Sequence, residues 1–193
     1  GAKNFIVLMP DAEIDQVMVS LLSSFYGNAG QRCLSGANLL VVGDDKTYNR
    51  FLDKFVEAAR NIKVGDGLDE SVQMGPLQNE ASKERVSGMI ENAVSEGAKL
   101  KLDGRRLNLV GDLPEACFLN PTVLESVQPD MTCAMEEIFG PVACVLRAKN
   151  LEEAIDIIHR NPYGNAASIF TNTGKWARQF RHEVVAGNVG INV

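Results

Sequence analysis

The sequence predicts an α/β domain over residues 1–193, with a largely parallel, twisted sheet flanked by helices. Three observations carry that expectation. Short apolar runs alternate along the chain with longer segments whose apolar residues recur at i, i+3 and i+4. Strands that alternate with helices pair in parallel, because a parallel pair needs a crossover connection. At 193 residues, 45% hydrophobic and 23% charged, the chain can bury one sizeable core, and no repeat, low-complexity stretch or linker divides it.

Phe5-Ile6-Val7-Leu8-Met9, ended by Pro10, predicts a buried strand. Asp11 is placed to cap a helix, with Glu13 and Asp15 in its first turn; Ile14, Val17, Met18, Leu21, Leu22 and Phe25 form its stripe and Gly27 ends it. Leu39-Leu40-Val41-Val42 predicts a strand closed by Gly43-Asp44-Asp45. A second helix follows over about 46–61 on Tyr48, Phe51, Leu52, Phe55, Val56 and Ala59. Residues 64–78 show no period and predict a loop. The third helix, about 79–96, carries Val86, Met89, Ile90, Ala93 and Val94, with Gly97 just past its end. Leu100 and Leu102 alternate with Lys99 and Lys101, a strand with one wet face that Asp103-Gly104 turns. Residues 105–116 read as an excursion. Thr122-Val123-Leu124 and Val142–Leu146 are strand-like, and Asn150 with Glu153 forms a capping pattern for a helix on Leu151, Ala154, Ile155 and Ile158. Asn161-Pro162-Tyr163-Gly164 stops it. A strand over Ala166–Phe170, a helix over about 174–184 and a last apolar run complete the pattern.

The net charge of −6 argues against a nucleic-acid partner, since a phosphate-backbone binder needs a basic face. No apolar run approaches the ~20 residues a membrane helix needs, so no membrane partner is expected. The four cysteines (33, 117, 133 and 144) show neither zinc spacing nor a disulfide framework. No metal site is expected, and the compartment is one that keeps thiols reduced: cytoplasm, mitochondrial matrix included. Cys117, Cys133 and Cys144 suit apolar packing. His159 and His182, late in helices, suit structural roles.

Cys33 stands apart. It lies in Gly27-Asn28-Ala29-Gly30-Gln31-Arg32-Cys33-Leu34-Ser35-Gly36, where three glycines in ten residues disfavour helix and strand alike. Arg32 sits beside it, and a neighbouring cation favours the nucleophilic thiolate. On these grounds Cys33 is a candidate nucleophile.

Gly30-Gln31-Arg32-Cys33 resembles the Gly-Gln-x-Cys nucleophile motif of aldehyde dehydrogenases, and Glu136-Glu137-Ile138-Phe139-Gly140-Pro141-Val142 resembles that family's second signature. Met74-Gly75-Pro76-Leu77 and Asn161-Pro162-Tyr163-Gly164 match further family segments in the family's order. Gly1-Ala2-Lys3-Asn4 and the Arg at 32 are most similar to the methylmalonate (malonate) semialdehyde dehydrogenases, the CoA-acylating branch. The resemblance covers essentially the whole chain. It implies the catalytic-domain fold, Cys33 as nucleophile, Glu137 on the nicotinamide ribose and Phe139 near the nicotinamide ring. It also implies Arg32 as a two-pronged partner for a substrate carboxylate, with a surface or thiol-activating charge as the ordinary alternative.

NAD as cofactor, coenzyme A as co-substrate, a small aldehyde as substrate and a homo-oligomer are implied in the same way. No dinucleotide-binding glycine fingerprint occurs, so most of the NAD site is expected outside these residues. The chain opens without Met and stops inside an apolar run, as expected of a piece lacking most of the NAD-binding domain and the C-terminal oligomerisation segment. The family's general-base position falls just upstream of Gly1. A hydrolytic dehydrogenase that releases a free acid therefore stays open, as does a non-catalytic binding or assembly module.

Overall fold

The first apolar run folds as strand β1 (Asn4–Leu8), with all five residues buried, in a computed structural model that describes residues 1–193. Helix α1 (Ile14–Tyr26) follows and buries Ile14, Val17, Leu21, Phe25 and Tyr26. Its N-cap is Glu13, without a side-chain cap, and not Asp11. The Asp11 carboxylate is taken by the Thr171 and Thr173 hydroxyls and the Asn172 N–H, a long-range demand that overrides the local capping preference. Past Tyr26 the chain makes a short turn (Gly27–Gly30) and enters strand β2 (Gly36–Val42), which begins three residues before the apolar run that predicted it.

Helix α2 (Asp45–Arg60) is capped by the Asp44 side chain on the Thr47 N–H and buries the six residues of its predicted stripe. Each of its larger apolar side chains contributes about 1.5–3 kcal/mol on burial. Phe55 packs edge-on to Phe25 at 5.6 Å between ring centroids and stacks on Tyr26 at 5.9 Å. That aromatic cluster pins the end of α1 just ahead of the glycine-rich turn.

Residues 64–78 hold one element the missing period concealed. Strand β3 (Val64–Gly65) pairs in parallel with β5 (Leu109–Val110), so the unreadable 105–116 stretch crosses over to form a two-stranded ladder. Two-residue strands are too short to show alternation. Helix α3 (Glu80–Ser95) is capped by Asn79 and ends at Gly97, whose φ of 112° is open to glycine at little cost. Val94, expected in the α3 stripe, is 43% exposed; Val86, Ile90 and Ala93 form the buried face.

Strand β4 (Lys99–Leu102) pairs antiparallel with β6 (Thr122–Glu125), and the short helix α4 (Thr132–Met135) precedes β7 (Val142–Ala148). Helix α5 (Leu151–Arg160) is capped by Asn150 on the Glu153 N–H, while the Glu153 carboxylate reaches one residue further back, to the Lys149 N–H. Strand β8 (Ala166–Phe170), helix α6 (Gly174–Glu183) and strand β9 (Asn188–Ile191) finish the chain.

The main sheet runs β4-β6-β7-β2-β1-β8-β9, parallel throughout except at β4. Parallel alignment puts the loops entering β7, β2, β1 and β8 along one edge. Asn4 stands beside Gly36, and Phe5 beside Ala167, so these strands begin almost level with one another. No helix is long and apolar enough to cross a membrane.

Candidate active site

Each residue singled out in the sequence lies at this amino edge of the sheet. Cys33 comes three residues before β2, Glu137 and Phe139 come shortly before β7, and Ala2 precedes β1. Neighbouring strands are about 4.8 Å apart, so loops entering adjacent strands share a single cleft. That cleft is lined by Ala2, Asn4, Arg32, Glu137, Phe139 and Gly140. Arg32 also borders an adjoining groove with Cys33, Ser20, Ser23 and Leu34. It therefore stands between Cys33 and the Glu137 segment.

The nucleophile loop is a strained backbone held by many small contacts. Asn28 (φ 54°), Ala29 (φ 52°) and Gly30 (φ 70°) form consecutive left-handed residues. For non-glycine residues that conformation costs about 1–2 kcal/mol each. The cost is offset locally where the Asn28 amide donates to the Gln31 carbonyl at 3.1 Å. The Gln31 side chain donates to the Asn28 and Pro76 carbonyls and accepts the Gln78 N–H at 2.8 Å. It thereby ties the loop to the Met74-Gly75-Pro76-Leu77 segment. Cys33 itself is exposed.

The two signature segments touch through glycines. A Cβ on Gly30 would lie 2.3 Å from the Gly140 carbonyl oxygen, so only glycine lets the nucleophile loop meet the loop entering β7. On the far side, Gly140 packs against Val86 of α3. Arg85 of α3 donates to the Ile138 carbonyl at 2.5 Å, next to Phe139, whose own φ is 53°. Phe139 is 39% exposed, its ring left open to the cleft. Glu137 is half-buried and accepts the Ala2 N–H at 2.9 Å, whereas Glu136 is exposed.

The Arg32 guanidinium folds back onto the end of α1. Its Nη2 donates to the Ser23 and Ser24 carbonyls, and its Nε donates to the Ser35 hydroxyl at 3.3 Å. A cation there offsets the partial negative charge of the helix C-terminus beside the thiol. One guanidinium nitrogen, Nη1, makes no hydrogen bond within the chain.

Four asparagines with no site role assigned from sequence, two of them (Asn4 and Asn161) inside the family-matching segments, brace these loops. Asn4 and Asn165 both donate to the Cys33 carbonyl, at 3.0 and 2.7 Å. Asn38 and Asn161 both donate to the Ala134 carbonyl, at 2.9 and 3.0 Å, just ahead of Glu137. Asn4 carried one usable signal, a polar residue opening a buried strand. The other partnerships span 27 to 132 residues and leave no local pattern.

The remaining cysteines are structural. Cys133 and Cys144 are buried, with the Cys144 thiol donating to the Cys133 carbonyl at 3.3 Å, and Cys117 is half-buried rather than fully packed. A side-chain hydrogen bond donated by the Cys133 thiol to the Cys144 sulfur, then burial, pushes the Cys133 thiol far up, which keeps it protonated and unreactive. His159 accepts the Val185 N–H at 3.2 Å, a structural role, and His182 is exposed.

Comparison with known proteins agrees with this geometry. Residues 1–193 match the aldehyde dehydrogenase family over their full length. The chain is 44% identical, over all of its residues, to a mitochondrial acylating methylmalonate-semialdehyde dehydrogenase of Arabidopsis thaliana. It is 42% identical to the human methylmalonate-semialdehyde/malonate-semialdehyde dehydrogenase, also acylating and mitochondrial. It covers 31% and 35% of those two relatives, about a third of their length. A Sinorhizobium meliloti protein described as a methylmalonate-semialdehyde dehydrogenase, solved with NAD, superposes with a TM-score of 0.95 at 38% identity. The match covers all of this chain and 39% of that one.

Proposed function

We propose that this chain, which belongs to the aldehyde dehydrogenase family, is the nucleophile-bearing part of an enzyme that oxidises methylmalonate or malonate semialdehyde to an acyl-CoA, using NAD and coenzyme A. One observation carries the reading. The exposed Cys33 thiol follows Arg32 in a loop locked, glycine against glycine, to the segment bearing Glu137 and Phe139. A nucleophile, a carboxylate-matching cation and a cofactor-facing surface are thus held at one edge of the sheet.

The residues present fit the nicotinamide–ribose end of NAD and nothing more of it. A half-buried carboxylate is an acceptor suited to ribose hydroxyls, and an exposed phenyl face is suited to a flat ring; no glycine-rich phosphate loop accompanies them. When bound, NAD supplies a hydride acceptor.

The Cys33 thiolate attacks the aldehyde carbon, forming a C–S bond as the carbonyl pair moves to oxygen. The Cys33 N–H is one donor for the oxyanion that develops. Collapse of that oxyanion expels hydride from the same carbon and leaves a thioester on Cys33. The free Nη1 of Arg32 is available to a carboxylate on a malonate-type substrate. Once the thioester has formed, that carboxylate departs as carbon dioxide, its C–C bonding pair passing into the thioester enolate, which then takes up a proton from solvent. Attack by the coenzyme A thiol breaks the Cys33 thioester and restores the thiolate. The full-length enzyme is expected to assemble as a homo-oligomer and to work where thiols stay reduced, in cytoplasm or in mitochondrial matrix.

The test is product analysis on the full-length enzyme. With malonate semialdehyde and NAD, acyl-CoA should form only when coenzyme A is present, and Cys33→Ala should abolish NADH formation. Free acid forming at the same rate without coenzyme A would instead establish the hydrolytic reaction. Turnover surviving Cys33→Ala would remove the nucleophile assignment.

A further inference from the structure

The carbonyl of the nucleophile's own residue is gripped from two sides. Asn165, at the entrance to β8, donates to it at 2.7 Å, and Asn4, the first residue of β1, donates at 3.0 Å. Asn4 is 4% exposed and is itself fully committed: its amide also donates to the Ser35 carbonyl at 2.7 Å, and its Oδ1 accepts the Ala166 N–H at 3.1 Å. A single buried side chain therefore joins β1, the start of β2 and the start of β8.

Two donors converging on one loop carbonyl are more than packing requires, because a carbonyl beside an exposed Cys33 could be satisfied by water. What the pair adds is orientation. The amide plane joining Cys33 to Leu34 cannot rotate without breaking both bonds. Translation of the plane, which the same two bonds resist, would carry the Cys33 Cα, and with it the sulfur and the Cys33 N–H. The same short segment also supplies Asn161, which holds the Ala134 carbonyl ahead of Glu137. Asn161 and Asn165 thus brace the two halves of the site from one loop.

We propose that Asn4 and Asn165 are positioning residues for the nucleophile: they lock the Cys33 peptide so that the thiolate and the Cys33 N–H meet the aldehyde in the attacking geometry. The proposal rests on Cys33 being the nucleophile of a dehydrogenase. Neither asparagine touches substrate in this scheme; both act through the backbone of Cys33.

Asn165→Ala in the full-length enzyme is the variant of choice, since half-buried Asn165 carries less of the fold than Asn4. The NADH burst with malonate semialdehyde should slow about 5- to 10-fold, the rate equivalent of one lost hydrogen bond. KM should stay within about two-fold. Alkylation of Cys33 by iodoacetamide should also stay within about two-fold, because a small free reagent needs no fixed approach. Asn4→Ala should give a larger loss of burst rate together with a lower Tm.

A wild-type burst rate in Asn165→Ala overturns the clamp, and so does a burst loss matched by an equal loss of alkylation. A wild-type enzyme that gives no burst with any aldehyde refutes the dehydrogenase reading instead. Amide hydrogen exchange across residues 27–36 then decides the clamp: it must accelerate in Asn165→Ala, and unchanged exchange overturns it.

Discussion

Replacing Gly30 by Ala tests whether the two signature segments depend on their glycine contact. The added Cβ would sit 2.3 Å from the Gly140 oxygen, 2.7 Å from the Gly140 carbonyl carbon and 3.1 Å from the Phe25 oxygen. All three atoms are backbone. The Gly140 oxygen also accepts the Val142 N–H at 2.8 Å, the bond that starts β7. Relief of the overlap must move that carbonyl by about 1 Å, which sacrifices a bond worth about 1–3 kcal/mol once a partner is left unsatisfied. The left-handed φ of 70° adds about 1–2 kcal/mol for any residue with a Cβ. A total of about 2–5 kcal/mol follows, which for a unit of this size lowers Tm by roughly 4–20 °C. Gly140→Ala meets only the Val86 side chain, at 2.7 Å, and should cost less. Gly75→Ala meets nothing within 4 Å and should leave Tm almost unchanged. Thermal unfolding of the three variants in the full-length enzyme, with the NADH burst of each, gives the order Gly75 < Gly140 < Gly30. A Gly30→Ala enzyme with wild-type Tm and burst would refute the close-contact argument.

Arg32→Leu should lower kcat/KM for malonate semialdehyde by roughly 10- to 150-fold, the range for a charged hydrogen bond, and affect propanal much less; equal losses for the two aldehydes would reduce Arg32 to its observed hold on the end of α1. Cys33 should be the first thiol modified under native conditions, Cys117 slower, and Cys133 and Cys144 only on unfolding; quantified labelling by mass spectrometry checks this, and Ala at any of the last three should keep turnover. Burial, with a smaller push from Glu125, raises the Tyr48 hydroxyl from its ordinary value to about 12, and burial likewise raises Tyr26. Because the folded state holds these protons longer than the unfolded chain, stability is full below about pH 10 and falls as pH rises towards 12. Tyr48→Phe, which removes a buried hydroxyl without a hydrogen-bond partner and keeps the ring 4.6 Å from the Arg147 guanidinium carbon, should flatten the alkaline fall in Tm.

Long amphipathic helices and buried strands were readable because each repeats one instruction many times. The stripe from Tyr48 to Ala59 faces the core as its spacing demands, and the Asn79 and Asn150 caps act within three residues of themselves. Features that one distant partner decides were not readable. Asp11 has the right local position for a cap yet is claimed by residues 160 to 162 positions away. The four residues of α4 and the two-residue strands β3 and β5 are shorter than any period. In the candidate site, the glycine-rich setting proposes Cys33 and the motif proposes Glu137, and both lie at the amino edge of the sheet. Phe139, by contrast, adopts a left-handed backbone that nothing at that position announces, and the preceding Ile138 carbonyl is held by Arg85, which lies 53 residues before Ile138 in the chain.

Parallel α/β sheets usually bind ligands beyond the carboxyl ends of their strands, whereas the residues discussed here all lie at the amino ends of β7, β2, β1 and β8. The consequences are physical. A helix connecting parallel strands returns with its C-terminus at the amino edge, so α1 delivers partial negative charge beside Cys33, where the proposed reaction needs a thiolate. The chain meets that disadvantage with the Arg32 guanidinium on the Ser23 and Ser24 carbonyls. Loops entering strands also lack the row of free helix N-terminal N–H groups that carboxyl-edge sites use for phosphates. This fits the proposed role of Glu137 and Phe139 towards a riboside and ring, with no cradle for a pyrophosphate. What the amino edge supplies instead is rigidity. Each loop ends within a few residues of a buried strand start, and the Cys33, Ala134 and Ile138 carbonyls are all held by side chains from elsewhere in the fold. In the proposed reaction, attack by sulfur and departure of hydride occur at one carbon, so the distance between Cys33 and the Glu137–Phe139 segment must be fixed, and a glycine-to-glycine backbone contact fixes it more tightly than flexible side chains could.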